Sequence, residues 1–223
     1  MKENDMPKVG VVLSGCGVFD GSEIHEAVVT LLALDRAGAQ AICMAPDIPQ
    51  AHVVDHRAKA PSQDGGRNVL VESARIARGE ILELKSVTPD ALDALIVPGG
   101  YGAAKNLCDF AFQGKDCTAQ PDLAKLIRAL HEMKKPMGFI CIAPVLAARI
   151  FGNKVQVTIG NDPDTARAVE AMGALHVECP VDMCVVDKKN RIVSTPAYML
   201  PASIREVAGG IERLVKEVLK LVR

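Results

Sequence analysis

The chain has 223 residues, a formal net charge of -1, and 49% hydrophobic against 24% charged residues, the profile of an ordinary globular protein that can bury a core without disulfide or metal staples. With no Trp, two Tyr, five Phe and no basic excess, it lacks the charged and stacking surfaces of nucleic-acid binders. Its longest apolar runs, at 27–34 and 91–98, fall far short of the roughly 20 residues that span a bilayer, so no membrane partner is expected.

The first eight residues are charged and contain no apolar signal core, which makes a cytoplasmic location the default expectation. Residues 9–13 form a short β-branched run bounded by Gly and Ser, the pattern of a buried parallel strand. A glycine-rich loop at 14–21 follows. Ser22 then offers an N-cap to a helix in which Ile24, Ala27, Val28, Leu31 and Leu32 recur at helical spacing until Gly38. A second strand is expected at 39–45 and a helix at 67–78. Between them, 46–66 is rich in Pro, Asp, His and Gly and reads as a surface excursion with hairpin character.

Residues 81–84 suggest an edge strand, and 94–97 a stronger one that ends in Pro98-Gly99-Gly100-Tyr101-Gly102. A helix over 121–134 places Leu123, Ile127, Leu130 and Met133 on one face. An apolar strand then leads into Cys141 and a helix starting near Pro144. The remaining pattern gives a helix at 163–172, a hairpin over 185–195 turning at 188–190, and a terminal helix over 203–222. Repeated strand-helix alternation predicts a single α/β domain over 1–223, with a doubly wound, mostly parallel sheet and helices on both faces. Functional groups then belong at strand C-termini.

Cys141 is the strongest candidate. A thiol on a strand-to-helix turn projects into the crevice, and the backbone amides and helix dipole beyond it favour the thiolate, so a depressed pKa is expected. The other six cysteines, Cys16, Cys43, Cys108, Cys117, Cys179 and Cys184, read as buried small hydrophobes or surface thiols in a reducing compartment. None forms a CxxC pair, and no metal constellation or cofactor motif is evident. Glu23 and Glu26 flank His25 at the start of the first helix; either could hold a proton for the thiol or merely complement the helix dipole. Gly99 and Gly100 allow close backbone approach, so an amide there could join that of Ile142 as an oxyanion hole, or the glycines could simply serve a tight turn. His176-Val177-Glu178 has the spacing of a His-x-Glu pair but follows Gly173 in a short strand, and coincidence explains it better. His52, His56 and His131 are scattered.

Four segments carry a family likeness: 10–26 (GVVLSGCGVFDGSEIHE), 96–107 (IVPGGYGAAKNL), 138–144 (GFICIAP) and 195–199 (TPAYM). Together they closely resemble the ElbB family, within the PfpI-like group of class I glutamine amidotransferase-like proteins, over essentially the whole chain. The resemblance implies a flavodoxin-like sandwich, usually dimeric, and a weak, cofactor-free glyoxalase-type activity on small aldehydes with a possible share of protein deglycation. It makes Cys141 the nucleophile, Glu26 the acidic partner, and Gly100 and Ile142 the oxyanion amides. The sequence departs from many PfpI-like enzymes in lacking a histidine over 154–162, and from true amidotransferases in reading Ser194-Thr195-Pro196-Ala197 where a His-x-Glu would stand. Catalysis would then rest on Cys141, Glu26 and backbone amides. The expectation from another class is a non-catalytic thiol sensor or binding module.

Overall fold

The computed structural model describes residues 6–62 and 65–222. Its elements, in chain order, begin with β1 (Lys8–Val12), α1 (Ile24–Arg36), β2 (Gln40–Ala45), β3 (Val54–Asp55), β4 (Ala60–Pro61), α2 (Val69–Ile76), β5 (Leu82–Glu83) and β6 (Ala94–Val97). Then come α3 (Tyr101–Lys105), α4 (Phe110–Gln113), α5 (Pro121–Glu132), β7 (Met137–Ile140), α6 (Pro144–Phe151) and β8 (Gln156–Val157). The last are α7 (Pro163–Ala171), β9 (Leu175–His176), β10 (Val185–Asp187), β11 (Ile192–Thr195) and α8 (Ile204–Val222). Among the described residues the main sheet has seven strands in the order β10-β11-β7-β6-β1-β2-β5, parallel except for the edge strand β10. This is the doubly wound sheet that the alternation predicts, in the flavodoxin-like form that the family resemblance implies. The excursion over 46–66 carries the β3-β4 hairpin, and β8 pairs with β9 in a separate ribbon.

Alternation along the central strands divides the core into two apolar layers. Val12, Leu95, Val97, Met137 and Phe139 face one layer, which α5 and α6 complete with Leu123, Ile127, Leu130, Val145 and Leu146. Val9, Val11, Ile96 and Val193 face the other, closed by Ala27 and Leu34 of α1 and by Val207, Ile211, Leu214 and Val218 of α8. One transverse row of the sheet runs Val193, Gly138, Ile96, Val11, Cys43 by register. Gly138 lacks the side chain its neighbours carry, and α8 leans into that space: a Cβ there would sit 2.8 Å from Leu214 Cδ2 and 3.2 Å from Val218 Cγ2. The helix registers because one position in the row is empty.

Local outcomes differ from the sequence reading at a few points. Ser22 is not the cap of α1. Glu23 takes that position and accepts the Glu26 N–H. Ser22 is buried, with its Oγ accepting the Ser14 N–H at 2.8 Å. The glycine loop after β6 also winds further than expected, into α3 and α4, with Gly100 capping α3 at a φ of 90° that residues with side chains rarely adopt.

Candidate active site

Four adjacent strands, β11, β7, β6 and β1, end at one place, and the residues just beyond each converge there. Beyond β7 the chain turns at Cys141 with φ 62°, in the left-handed region where residues other than glycine are rare. The turn is held on both sides. Cys141 N–H donates to the Thr195 carbonyl of β11 at 2.9 Å, and Pro144 enters the first turn of α6. The sulfur therefore stands over the strand ends on an elbow, as the sequence suggests.

Glu26, on the first turn of α1, is fully buried and hydrogen-bonded to the Cys141 thiol. One carboxyl oxygen accepts the Gly99 N–H at 2.9 Å, and the other accepts the Tyr198 N–H at 3.4 Å. Burial, and then the charge of Glu23, push the Glu26 carboxyl up from 4.5 to about 8. Burial and the neighbouring Glu26 charge also hold the Cys141 thiol well above 9.0, against the pull of the Gly100 and Ile142 amides. This corrects the expected depression. The helix N-terminus does supply amides, but a thiolate here would be both desolvated and set beside a carboxylate. The proton lost near 8 is therefore that of Glu26, and the thiol holds its own proton beyond it.

Gly99 and Gly100 are glycines for steric reasons. A Cβ on Gly99 would lie 2.4 Å from Cys141 Cβ, and one on Gly100 would lie 2.3 Å from the Glu23 nitrogen, at a φ of 90°. The two amides serve different purposes. That of Gly99 is taken by Glu26, whereas those of Gly100 and Ile142 point at the sulfur. Glu23 ties this strand end to α1: its N–H donates to the Gly99 carbonyl at 3.0 Å and its Oε2 accepts the Glu26 N–H at 2.7 Å. Asn106 fastens the loop behind it, donating to the Ser14 and Asp20 carbonyls at 2.8 and 3.0 Å.

A cleft of about 390 Å³ opens above the sulfur, lined by Cys141, Glu23, Gly100, Ile142, Tyr101, Phe110, Asp162 and Tyr198 among others. Its walls are mainly apolar, with a few polar groups, as small-molecule sites usually are. Glu23 is on the wall, whereas Glu26 is fully buried beside the sulfur at the foot of the cleft. Sequence reasoning did not give a role to Tyr198, although it fell within a matched segment, nor to Asp162. The other candidates stay apart. His176 accepts the Ile159 N–H at 3.3 Å away from the cleft, while His52 meets Phe112 edge to face and His131 lies tilted against Phe151. Among the described residues no group of three His, Cys, Asp or Glu side chains could hold a metal ion.

A doubly wound sheet with a strained cysteine elbow and a buried glutamate beside it is the architecture of a class I glutamine amidotransferase-like protein. No family model matches the chain. It is, however, 47% identical to the mitochondrial ES1 protein homolog of Rattus norvegicus over 96% of this chain and 84% of that protein. It is 46% identical to the mitochondrial glutamine amidotransferase-like class 1 domain-containing protein 3 of Homo sapiens, over 96% and 83%. The crystal structure of an isoprenoid biosynthesis protein with an amidotransferase-like domain from Ehrlichia chaffeensis superposes with a TM-score of 0.91 at 38% identity, covering 97% of this chain and all of that one. The chain belongs to the ES1 family of class I glutamine amidotransferase-like proteins, in agreement with the ElbB resemblance. The glyoxalase III of Candida albicans, at 14% identity and a TM-score of 0.62 over 97% of both chains, shares the fold. The expected cytoplasmic location is overturned by the rat and human relatives, both of which are named as mitochondrial proteins. That expectation rested on the want of a secretory core, which does not test for the amphipathic, Arg-rich leaders of mitochondrial proteins.

Proposed function

We propose that the protein is a cofactor-free enzyme that converts glyoxal and related small 2-oxoaldehydes to hydroxy acids through Cys141. The observation that carries this reading is a single sulfur set between a buried carboxyl able to take its proton and two amides able to hold an oxyanion, at the foot of a small cleft. That a protein named glyoxalase III shares the fold makes this chemistry accessible to the scaffold, without assigning it.

The chemistry is an internal redox isomerisation followed by hydrolysis. Ionised Glu26 takes the thiol proton, and the thiolate adds to one aldehyde carbon, with the resulting oxyanion held by the Gly100 and Ile142 amides. That oxyanion recovers the proton, which gives a hemithioacetal and returns Glu26 to carboxylate. Glu26 then removes the hydrogen on the sulfur-bearing carbon and returns it to the neighbouring carbon, leaving a thioester of the hydroxy acid. Water cleaves the thioester, releasing glycolate and the thiol. Overall, glyoxal and one water become glycolate, and no external oxidant or reductant is needed.

The test is glycolate formation from glyoxal by wild type beside Cys141→Ala. Turnover that vanishes in the variant supports the enzyme reading. Equal aldehyde loss in both would reject it. A stoichiometric adduct on Cys141 without glycolate would transfer the site to the thiol-sensor reading.

A further inference from the structure

Glu26 already carries the carbon-bound hydrogen of the isomerisation, so the proton that must pass between the two substrate oxygens in the same step needs a second group, one on the cleft wall. Among the described residues lining the cleft, none is His, Lys or Arg. The hydroxyl of Tyr198 stands out there because it leads outward: it is 2.9 Å from His25 Nδ1, and the His25 side chain is 51% exposed. Glu23 Oε1 lies 4.0 Å from the same nitrogen.

The placement of Tyr198 is tied to the reacting sulfur. Its own N–H donates to Glu26, and it follows Ala197, whose φ of 44° is again left-handed for a residue with a side chain. The turn over Ala197–Met199 directly follows β11, whose Thr195 carbonyl holds the Cys141 amide. A backbone strained at both Cys141 and Ala197 therefore sets the sulfur and the phenol on the same cleft. Burial first, and then the charges of Glu23, the cap of α1, and Glu26, on its first turn, raise the pKa of the phenol. A tyrosine so placed is neutral and serves as a donor.

We propose that Tyr198 is a catalytic residue that carries the oxygen-bound proton of the isomerisation, with His25 as its positioning residue. The inference rests on the glyoxalase reading. As Glu26 removes the carbon-bound hydrogen of the hemithioacetal, the Tyr198 hydroxyl donates its proton to the neighbouring carbonyl oxygen. This gives an enediol and a phenolate, and His25 stabilises the phenolate by donating from Nδ1. As Glu26 returns its proton to the second carbon, the phenolate takes the proton from the oxygen on the sulfur-bearing carbon, whose carbonyl forms. The tyrosine ends as it began, so the relay consumes nothing.

The experiment compares wild type, Tyr198→Phe and His25→Ala for glycolate formation from glyoxal, with the iodoacetamide alkylation rate of Cys141 measured on each. Tyr198→Phe should lower kcat by about 100-fold or more with KM changed less than about 3-fold, while Cys141 alkylates at the wild-type rate. His25→Ala should lose kcat and regain it when imidazole is added, which a merely structural histidine would not do. Near-wild-type kcat in Tyr198→Phe, a fall in alkylation that matches the fall in kcat, or a His25→Ala deficit that imidazole leaves untouched would each overturn the relay. If wild type itself makes no glycolate, the glyoxalase reading fails and the relay falls with it. If wild type turns over and Tyr198→Phe equals it, only the relay falls.

Discussion

Glu26 is a carboxyl group that folding forces to keep its proton. Below about 4.5 it is neutral in both folded and unfolded chains, whereas between 4.5 and about 8 only the folded chain binds the proton. The stabilisation is therefore fully present below 4.5 and is lost as the pH rises through about 8. Glu26→Gln removes this liability. We expect the variant to gain up to roughly 5 kcal/mol over wild type in urea titrations near pH 9 and to show little gain near pH 4, from about 1.4 kcal/mol per pKa unit. A constant difference across that range would show that the carboxyl is not buried as described. The same proton governs reaction. Because Glu26 must lose its proton before it can take that of the thiol, kcat/KM for glyoxal should rise with pH through about 8. Glu26→Gln should lose about 100-fold to 10,000-fold in rate, since an amide fills the space but cannot take and return a proton. Glu23→Gln should lose far less, because Glu23 contributes a cap and a wall rather than the contact with sulfur. The reverse order in steady-state assays would mean that the two carboxyls have exchanged roles.

At the scale of elements, the sheet and α8 fit through Gly138. Leu214→Ala would leave a cavity against that glycine, in a layer that is otherwise filled, and we expect a loss of about 2–5 kcal/mol in denaturant unfolding with the slope unchanged. A loss below about 1 kcal/mol would mean that α8 closes the gap by shifting. The strands, the main helices and the elbow at Cys141 were legible in the sequence because short apolar runs, glycine stops and Pro144 are local signals. Glu26 and Gly100 became legible through the matched segments and not through periodicity. What stayed hidden was long-range. The pairing of Tyr198 with His25, the capture of the Gly99 amide by Glu26 and the raised Cys141 thiol all depend on which strand ends become neighbours. Burial, too, reversed the sign expected from helix position alone, because desolvation at Cys141 outweighs its amides.

For the whole molecule, the family likeness leads us to propose a homodimer, which sedimentation at micromolar concentration would test; a monomer would remove that proposal and leave the site intact. The convergence of β1, β6, β7 and β11 on one cleft has a further meaning for how the molecule is made. The hydrogen bond from Tyr198 to Glu26 closes a loop of 172 residues, so the site is among the last structures whose entropy of closure is met during folding. A nascent chain that has released Cys141 from the ribosome already owns its nucleophile, yet it still lacks β11, the turn that carries Tyr198 and the helix that covers them. Reactivity at Cys141 is thereby a clock for completion. In refolding from urea, helical signal should return first, and the mature alkylation rate of Cys141 should appear only in the final phase, together with α8. A mature rate reached while α8 is still unprotected from hydrogen exchange would show that the elbow assembles without the far end of the chain.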